Sequence, residues 1–201
     1  MTVLAGDIGG TNARLTIYDV AAHGTVGPAL YEKTYPSPAY PSLDVIVDEF
    51  AAAATVKIGA AARVDEACFG IAGPIENNMC RATNLPWIVD GRTLAQRLGI
   101  ERVTLVNDFY AAALGVTAVG PGELVAIGGG TPVPHGPIAV LGAGTGLGQA
   151  FLLWSAADNA YQEAEVQAGQ RKPERIVGAE DKADGRLAAH VSGDRFVDFA
   201  D

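Results

Sequence analysis

Asp7-Ile8-Gly9-Gly10-Thr11-Asn12 closes a short apolar run with residue types suited to holding a phosphate. Paired glycines let the backbone come close to a ligand and turn its N–H groups toward an anion. Thr11 and Asn12 add side-chain donors, and Asp7 at the strand end is placed to hold a hydrated cation beside the phosphates. The structural alternative is a tight hairpin in which Gly9-Gly10 only meets the turn's geometry. Gly9-Gly10 alone would favour that alternative; with Asp7, Thr11 and Asn12 beside it, the phosphate reading is preferred.

A second glycine cluster, Gly142-Ala143-Gly144-Thr145-Gly146-Leu147-Gly148, has the same chemistry: bare backbone with one hydroxyl. No lysine follows it and the spacing is not that of a Walker loop, nor does it fit a dinucleotide fingerprint. Between the two clusters, Asn107-Asp108 ends an apolar strand. A carboxylate there can take the proton of a hydroxyl attacking a phosphoryl group. Capping the following helix is the competing role for Asp108, and the two are compatible. Asn84, in Thr83-Asn84-Leu85-Pro86-Trp87, is a candidate donor and acceptor for sugar hydroxyls, with Gly73-Pro74 read as a turn and Trp87 as a core aromatic.

These residues need elements to position them, and the chain supplies period-two and period-3.6 patterns in turn. Val3 to Asp7, Arg14 to Tyr18 and Ala29 to Tyr35 read as three strands, the first two forming a hairpin about Gly9-Gly10. Leu43, Ile46, Val47 and Phe50 fall on one face of a helix, with Ser42 as its candidate N-cap. Ala67 to Ala72 and Arg102 to Val106 read as strands, and Asp90 to Leu98 and Phe109 to Gly115 as helices, Gly99 closing the first of these. The order is β-β-β-α-β-α-β-α. Leu124 to Ile127, Ile138 to Leu141 and Gln149 to Trp154 are further strands, so strand, Gly-Thr-Gly turn and strand recur near the end. Beyond Asp158 charge is dense and the large apolar residues form no core face, which predicts a charged, flexible tail.

Hydrophobic residues make up 49% of the 201-residue chain and charged residues 18%, enough for one large or two small cores. The formal net charge of −9 argues against nucleic acid or an anionic membrane as partner, since both need a basic face. No apolar run reaches the ~20 residues of a membrane span, and no signal region follows Met1, so a cytoplasmic location is expected. Cys68 and Cys80 lack metal spacing and read as reduced thiols. His23, His135 and His190 read as surface imidazoles.

The D-x-G-G-T-N-x-R start, the A-G-P-I loop at Ala72, T-N-x-x-W at Thr83, N-D-F at Asn107 and G-A-G-T-G-L-G at Gly142 together resemble bacterial glucokinases of the actin-like ATPase superfamily. The resemblance spans residues 1 to about 162. It implies an α/β fold with a ribonuclease-H-like mixed sheet and an incomplete second domain of the same type: residues 1–109, then 110–162, then the 163–201 tail. It implies transfer of the ATP γ-phosphate to the 6-hydroxyl of glucose with Mg²⁺, in a protein that usually dimerises. By the same resemblance Gly6, Asp7, Ile8, Gly9, Gly10, Thr11 and Asn12 form the first phosphate loop, and Gly142, Gly144, Thr145 and Gly146 belong to the second. Asp108 is then the general base, Asn84, Asn107 and Asp108 hold the sugar, and Asp7 holds the metal through water.

The family continues with an E-G-G-H segment whose Glu and His bind sugar; here Gly193-Asp194-Arg195 precedes Phe196-Val197-Asp198-Phe199-Ala200 instead. That departure predicts weakened sugar binding, with a non-catalytic nucleotide- or sugar-binding remnant, or a kinase of a related sugar, as the alternatives.

Overall fold

The structure is a computed structural model that describes residues 1–22, 24–120, 122–127, 133–143, 147–164, 187–191 and 195–199. It forms two compact units, Met1–Ala111 and Ala112–Asp201.

The first unit is built on a five-stranded mixed sheet. Strands β1 (Thr2–Ile8), β2 (Asn12–Val20) and β3 (Val26–Pro36) make an antiparallel meander, and β4 (Glu66–Ile71) then lies parallel to β1. A small antiparallel sheet of β5 (Ile75–Glu76), β6 (Met79–Arg81) and β7 (Ile88–Asp90) interrupts the sequence before β8 (Val103–Asn107), which lies parallel to β4. The main sheet thus runs β3-β2-β1-β4-β8, the ribonuclease-H-like arrangement expected. The β2–β3 pairing slips at two places, between Ile17 and Tyr18 and between Tyr18 and Val20.

Three helices serve this sheet. Helix α1 (Leu43–Ile58) buries Leu43, Ile46, Val47, Phe50 and Ala54, the stripe its spacing predicts extended by one turn. Ser42 stands at its N-cap position without a side-chain cap bond. Helix α2 (Gly91–Leu98) starts one residue later than the pattern suggested, because Asp90 is its cap and accepts from Arg92 N at 2.8 Å. Gly99 ends it in the left-handed conformation, φ 66°, as expected of a C-terminal glycine. Helix α3 (Asp108–Val116) follows β8 directly.

One core holds the unit together. Leu4 and Ile8 of β1, Leu15 and Ile17 of β2, and Phe69 and Ile71 of β4 are all fully buried with Phe50 and Leu94 of the helices. Each such side chain contributes about 1.5–3 kcal/mol of transfer free energy. Trp87 is buried as expected, its indole N–H donating to Tyr40 O at 3.2 Å.

In the second unit β9 (Val125–Ile127), β10 (Ile138–Ala143), β11 (Leu147–Ser155), β12 (Ala160–Glu163), β13 (Leu187–Val191) and β14 (Arg195–Phe199) form a sheet ordered β12-β11-β10-β13-β14-β9. Its β10-β11-β12 meander repeats the topology of β1-β2-β3, but β10's other neighbour, β13, is antiparallel where β4 is parallel to β1. Strands β13 and β14 fall in the stretch whose composition suggested a flexible tail. Short, mostly apolar runs such as Leu187-Ala188-Ala189-His190-Val191 are diluted when charge is averaged over the whole segment. Exposed His135 stacks on Trp154, with ring centroids 3.9 Å apart and planes 6° from parallel. His23 lies outside the described residues. Among the described residues no helix is long and apolar enough to cross a membrane.

Candidate active site

Three parallel strands end in register. Ile8 of β1 pairs with Ile71 of β4, and Ile71 with Asn107 of β8. The residues that follow each strand therefore emerge side by side: Gly9-Gly10-Thr11, Ala72-Gly73-Pro74 and Asp108. The carboxyl ends of parallel strands are where α/β sheets bind ligands, because the loops there are free of the sheet's own pairing.

The first loop is a tight turn closed by Gly9 N donating to Asn12 O at 2.9 Å. It is held from outside by a residue that sequence spacing did not single out. Ser37, fully buried, donates its hydroxyl to Gly9 O at 2.8 Å and its amide to Thr11 O at 2.9 Å. We expect Ser37→Ala to lower stability by about 1 kcal/mol or somewhat more, because Gly9 O loses its partner in a partly buried setting. Nucleotide affinity should fall with it; urea unfolding beside a nucleotide titration measures both, and unchanged affinity would limit Ser37 to a packing role.

Gly10 touches the loop carrying Asn84. A Cβ on Gly10 would stand 2.8 Å from Asn84 Cβ, so the bare glycine allows the two loops to meet. Asn84 itself is exposed, as are Thr11 and Asn12. Gly6 works inside the sheet, where an added Cβ would strike the Phe69 ring. Gly73 packs against β6: a Cβ there would lie 2.7 Å from Arg81 O and 2.9 Å from Cys80 Sγ. Cys80 and Cys68 are free thiols whose pKa burial raises, which keeps both protonated and poorly nucleophilic.

Asn107 and Asp108 divide their work differently from the sequence expectation. The cap of α3 is Asn107, whose Oδ1 accepts from Phe109 N at 3.0 Å and Tyr110 N at 3.2 Å. Asp108 is the first residue of the helix, with Oδ1 accepting from Phe109 N at 2.9 Å. Either of two adjacent cap-forming residues satisfies the sequence pattern, and only the turn's geometry chooses between them. Asn107 Nδ2 also donates to Gly73 O at 3.1 Å, which leaves one of its two N–H groups for a ligand. Bare Gly70 on β4 brings α3 close, its absent Cβ falling 3.3 Å from Ala111 Cβ and 3.5 Å from Asp108 Cα.

Asp7 stands one residue before the row, pairing with Gly70 on one side and Arg14 on the other. Its side chain reaches solvent, yet the surrounding protein strips enough water to raise its pKa. Arg14 pulls in the opposite direction, and the Asp108 carboxylate adds to the rise. The ionised form is therefore disfavoured by folding. A carboxyl raised in the folded state stabilises fully below its unfolded pKa of 3.8, and loses that contribution as pH rises through the higher folded value. Asp7→Asn should accordingly raise Tm at pH 7 and make no difference well below pH 3.8. Thermal unfolding across that range tests it, and a variant less stable at pH 7 would contradict it.

In the second unit Gly142 lies in β10 and pairs with Gly148 across the hairpin, with Ala143 opposite Leu147. Gly144, Thr145 and Gly146, between them in sequence, lie outside the described residues. The first unit thus brings together Asp7, Gly9, Gly10, Thr11, Asn84, Asn107 and Asp108, while Gly142 stands in the second.

A β3-β2-β1-β4-β8 sheet with its ligand loops at one end defines an α/β protein of the ribonuclease-H-like, actin-like ATPase class. The glucokinase family model matches residues 4–196, and the chain belongs to the glucokinase family. A glucokinase of Synechocystis sp. is 44% identical over 153 residues, 75% of this chain and 43% of that protein. One from Nostoc sp. is 40% identical over 151 residues, again 75% of this chain and 43% of the relative. The chain therefore spans less than half the length of these curated relatives. Among solved structures, a glucokinase from an Antarctic psychrotroph matches with TM-score 0.70 and 26% identity, over 88% of this chain and 53% of that one. The glucokinase of Balamuthia mandrillaris, solved in complex with glucose, shares the fold with TM-score 0.60 at 20% identity, over 81% of this chain and 46% of that one.

Proposed function

We propose that this chain binds ATP and glucose and carries the residues that move the γ-phosphate to the sugar's 6-hydroxyl. The observation that supports it best is the row at the strand ends: a glycine turn, the Gly10–Asn84 contact and Asp108 stand on adjacent strands or loops of one unit. In this reading Gly6, Asp7, Ile8, Gly9, Gly10, Thr11 and Asn12 cradle phosphates. Gly142, Gly144, Thr145 and Gly146 are further candidate phosphate ligands by the family resemblance alone.

Asn84 and the free N–H of Asn107 hold sugar hydroxyls. Asp108 Oδ accepts the proton of the attacking hydroxyl as the new O–P bond forms and the bond from the γ-phosphorus to the departing ADP oxygen breaks. Little covalent chemistry falls to the protein in such a transfer; alignment and charge neutralisation carry the rate. Mg²⁺ fits the donor set, since Asp7 and Asp108 repel one another and Asp7 is partly stripped of water, a conflict a hydrated cation relieves. Asp7 would hold that ion through water, and the ion would neutralise phosphate charge. The cytoplasm, where ATP is plentiful, is the compartment this chemistry suits, and a homodimer is the assembly the family suggests.

A coupled assay of the purified chain with MgATP and glucose, beside calorimetric titration of each ligand, is the test. Turnover supports the whole reading. Binding of both ligands without turnover would leave a binding protein, the outcome favoured if Gly193-Asp194-Arg195 fails to stand in for the family's sugar-binding Glu and His. Binding of neither would refute the site. Competition by an amino sugar separates glucose from its relatives.

A further inference from the structure

Strand β8 ends at Asn107, directly before Asp108, and it is also an outermost strand of its sheet. An outer strand presents a row of backbone groups that no strand answers, and such strands open most easily. Here one side chain answers that row. Asn78 Nδ2 donates to Val103 O at 2.8 Å, and Asn78 Oδ1 accepts from Leu105 N at 2.8 Å. An amide group thus offers β8 the donor and acceptor that a neighbouring strand's backbone would.

The position of this amide is itself constrained. Asn77 and Asn78 are the two turn residues between β5 and β6, with φ of 53° and 60°, a left-handed pair that matches the twist of a two-residue hairpin. Asn78 O accepts from Gly91 N at 3.0 Å, and a Cβ on Gly91 would collide with the Asn78 amide. The same segment is tied to the top of β8 by the Asn107–Gly73 bond. It is tied to the rest of the site by Thr83 N donating to Ala72 O at 2.8 Å and Ala72 N to Ile8 O at 3.3 Å. Asn84, six residues after Asn78, belongs to this fastened segment.

We propose that Asn78 is a positioning residue for the transfer: it clamps the open edge of β8 to the 73–91 segment, so that Asp108 and Asn84 share one rigid frame. The role rests on the sugar-kinase reading of the site. Asn78 acts at a distance, since Leu105 precedes Asn107 by two residues, about 7 Å along a strand. It has no part in touching substrate.

Asn78→Gly keeps the left-handed turn and removes the amide. Asn77→Gly makes the same change one residue earlier, where the side chain is exposed and makes no hydrogen bond among the described residues. On the full chain, amide hydrogen exchange would be followed at Leu105, Phe109 and Tyr110, with Ile17 in the core as internal reference. Kd for glucose and for MgATP would be measured alongside. In Asn78→Gly, exchange at all three amides should accelerate about tenfold or more relative to Ile17, the effect of losing the two hydrogen bonds that the Asn78 amide makes with β8. Glucose Kd should rise by about the same factor, while MgATP Kd moves less than about twofold. Asn78→Asp, which keeps the acceptor and loses the donor, should fall between, and Asn77→Gly should change nothing.

Faster exchange at Leu105 alone, with Phe109, Tyr110 and glucose affinity unmoved, would overturn the proposal and reduce Asn78 to an edge cap. A wild-type chain that binds no glucose would sink the sugar-kinase reading instead. Exchange at Phe109 and Tyr110 would still decide whether Asn78 steadies Asp108.

Discussion

Asp108→Asn is expected to lower kcat for glucose phosphorylation about 10²–10⁴-fold, the range over which a positioned general base accelerates a proton transfer. Asparagine keeps the size of the side chain and can still accept from Phe109 N, the one side-chain hydrogen bond Asp108 makes among the described residues. The helix start survives, since Asn107 supplies the cap. What disappears is the basic oxygen. The variant should therefore bind MgATP as the parent does, and near-parental Tm and nucleotide affinity are part of the expected result. Removing one member of the Asp7–Asp108 pair also relieves their repulsion, so Asp7 should titrate closer to 3.8. A kcat within a few-fold of the parent's would take the base role away from Asp108.

Gly73→Ala is expected to have the largest effect on stability, about 3 kcal/mol, at the upper end of the usual cost of forcing extra volume into a packed site. The reason lies in what a methyl group would meet. Arg81 O at 2.7 Å is backbone of β6, and Cys80 Sγ at 2.9 Å belongs to a fully buried residue, so neither can swing away. Relief requires the Gly73-Pro74 turn to lift from β6. Gly73 O is the acceptor for Asn107 Nδ2, so lifting the loop also strains the cap of α3. Denaturant unfolding should show the midpoint falling with little change in m, and sugar affinity should drop with it. A loss under about 1 kcal/mol would mean that the loop adapts at small cost.

Much of the first unit was legible because its elements are long and periodic. β1 is an apolar run ending in a turn cluster, the first half of β2 alternates, α1 carries its stripe at i, i+3, i+4 and i+7, and Gly99 marks where α2 stops. The small sheet was not legible, since strands of two or three residues are too short to show a period. Its one local signal, Asn77-Asn78, suits a left-handed turn, but nothing in that pair announces that Asn78 reaches Val103 and Leu105. Ser37 escaped for the same reason: its partner Gly9 is 28 residues away. Residue types carried the candidate site well where a loop's chemistry is local, as at Asp7 to Asn12. They did less well where two neighbours compete for one role, as Asn107 and Asp108 do for the cap.

The slipped pairing of β3 bears on how the protein behaves in concentrated solution. At eleven residues β3 is the longest strand of its sheet and an outer one, the kind of surface on which chains stack into aggregates. Its two register faults bend the ribbon, and Pro28 and Pro36 remove amide donors from it. Glu32 and Lys33 place opposite charges in its middle. A second molecule approaching this border meets a twisted, interrupted and charged template, so the fold keeps its longest exposed ribbon a poor seed for self-association.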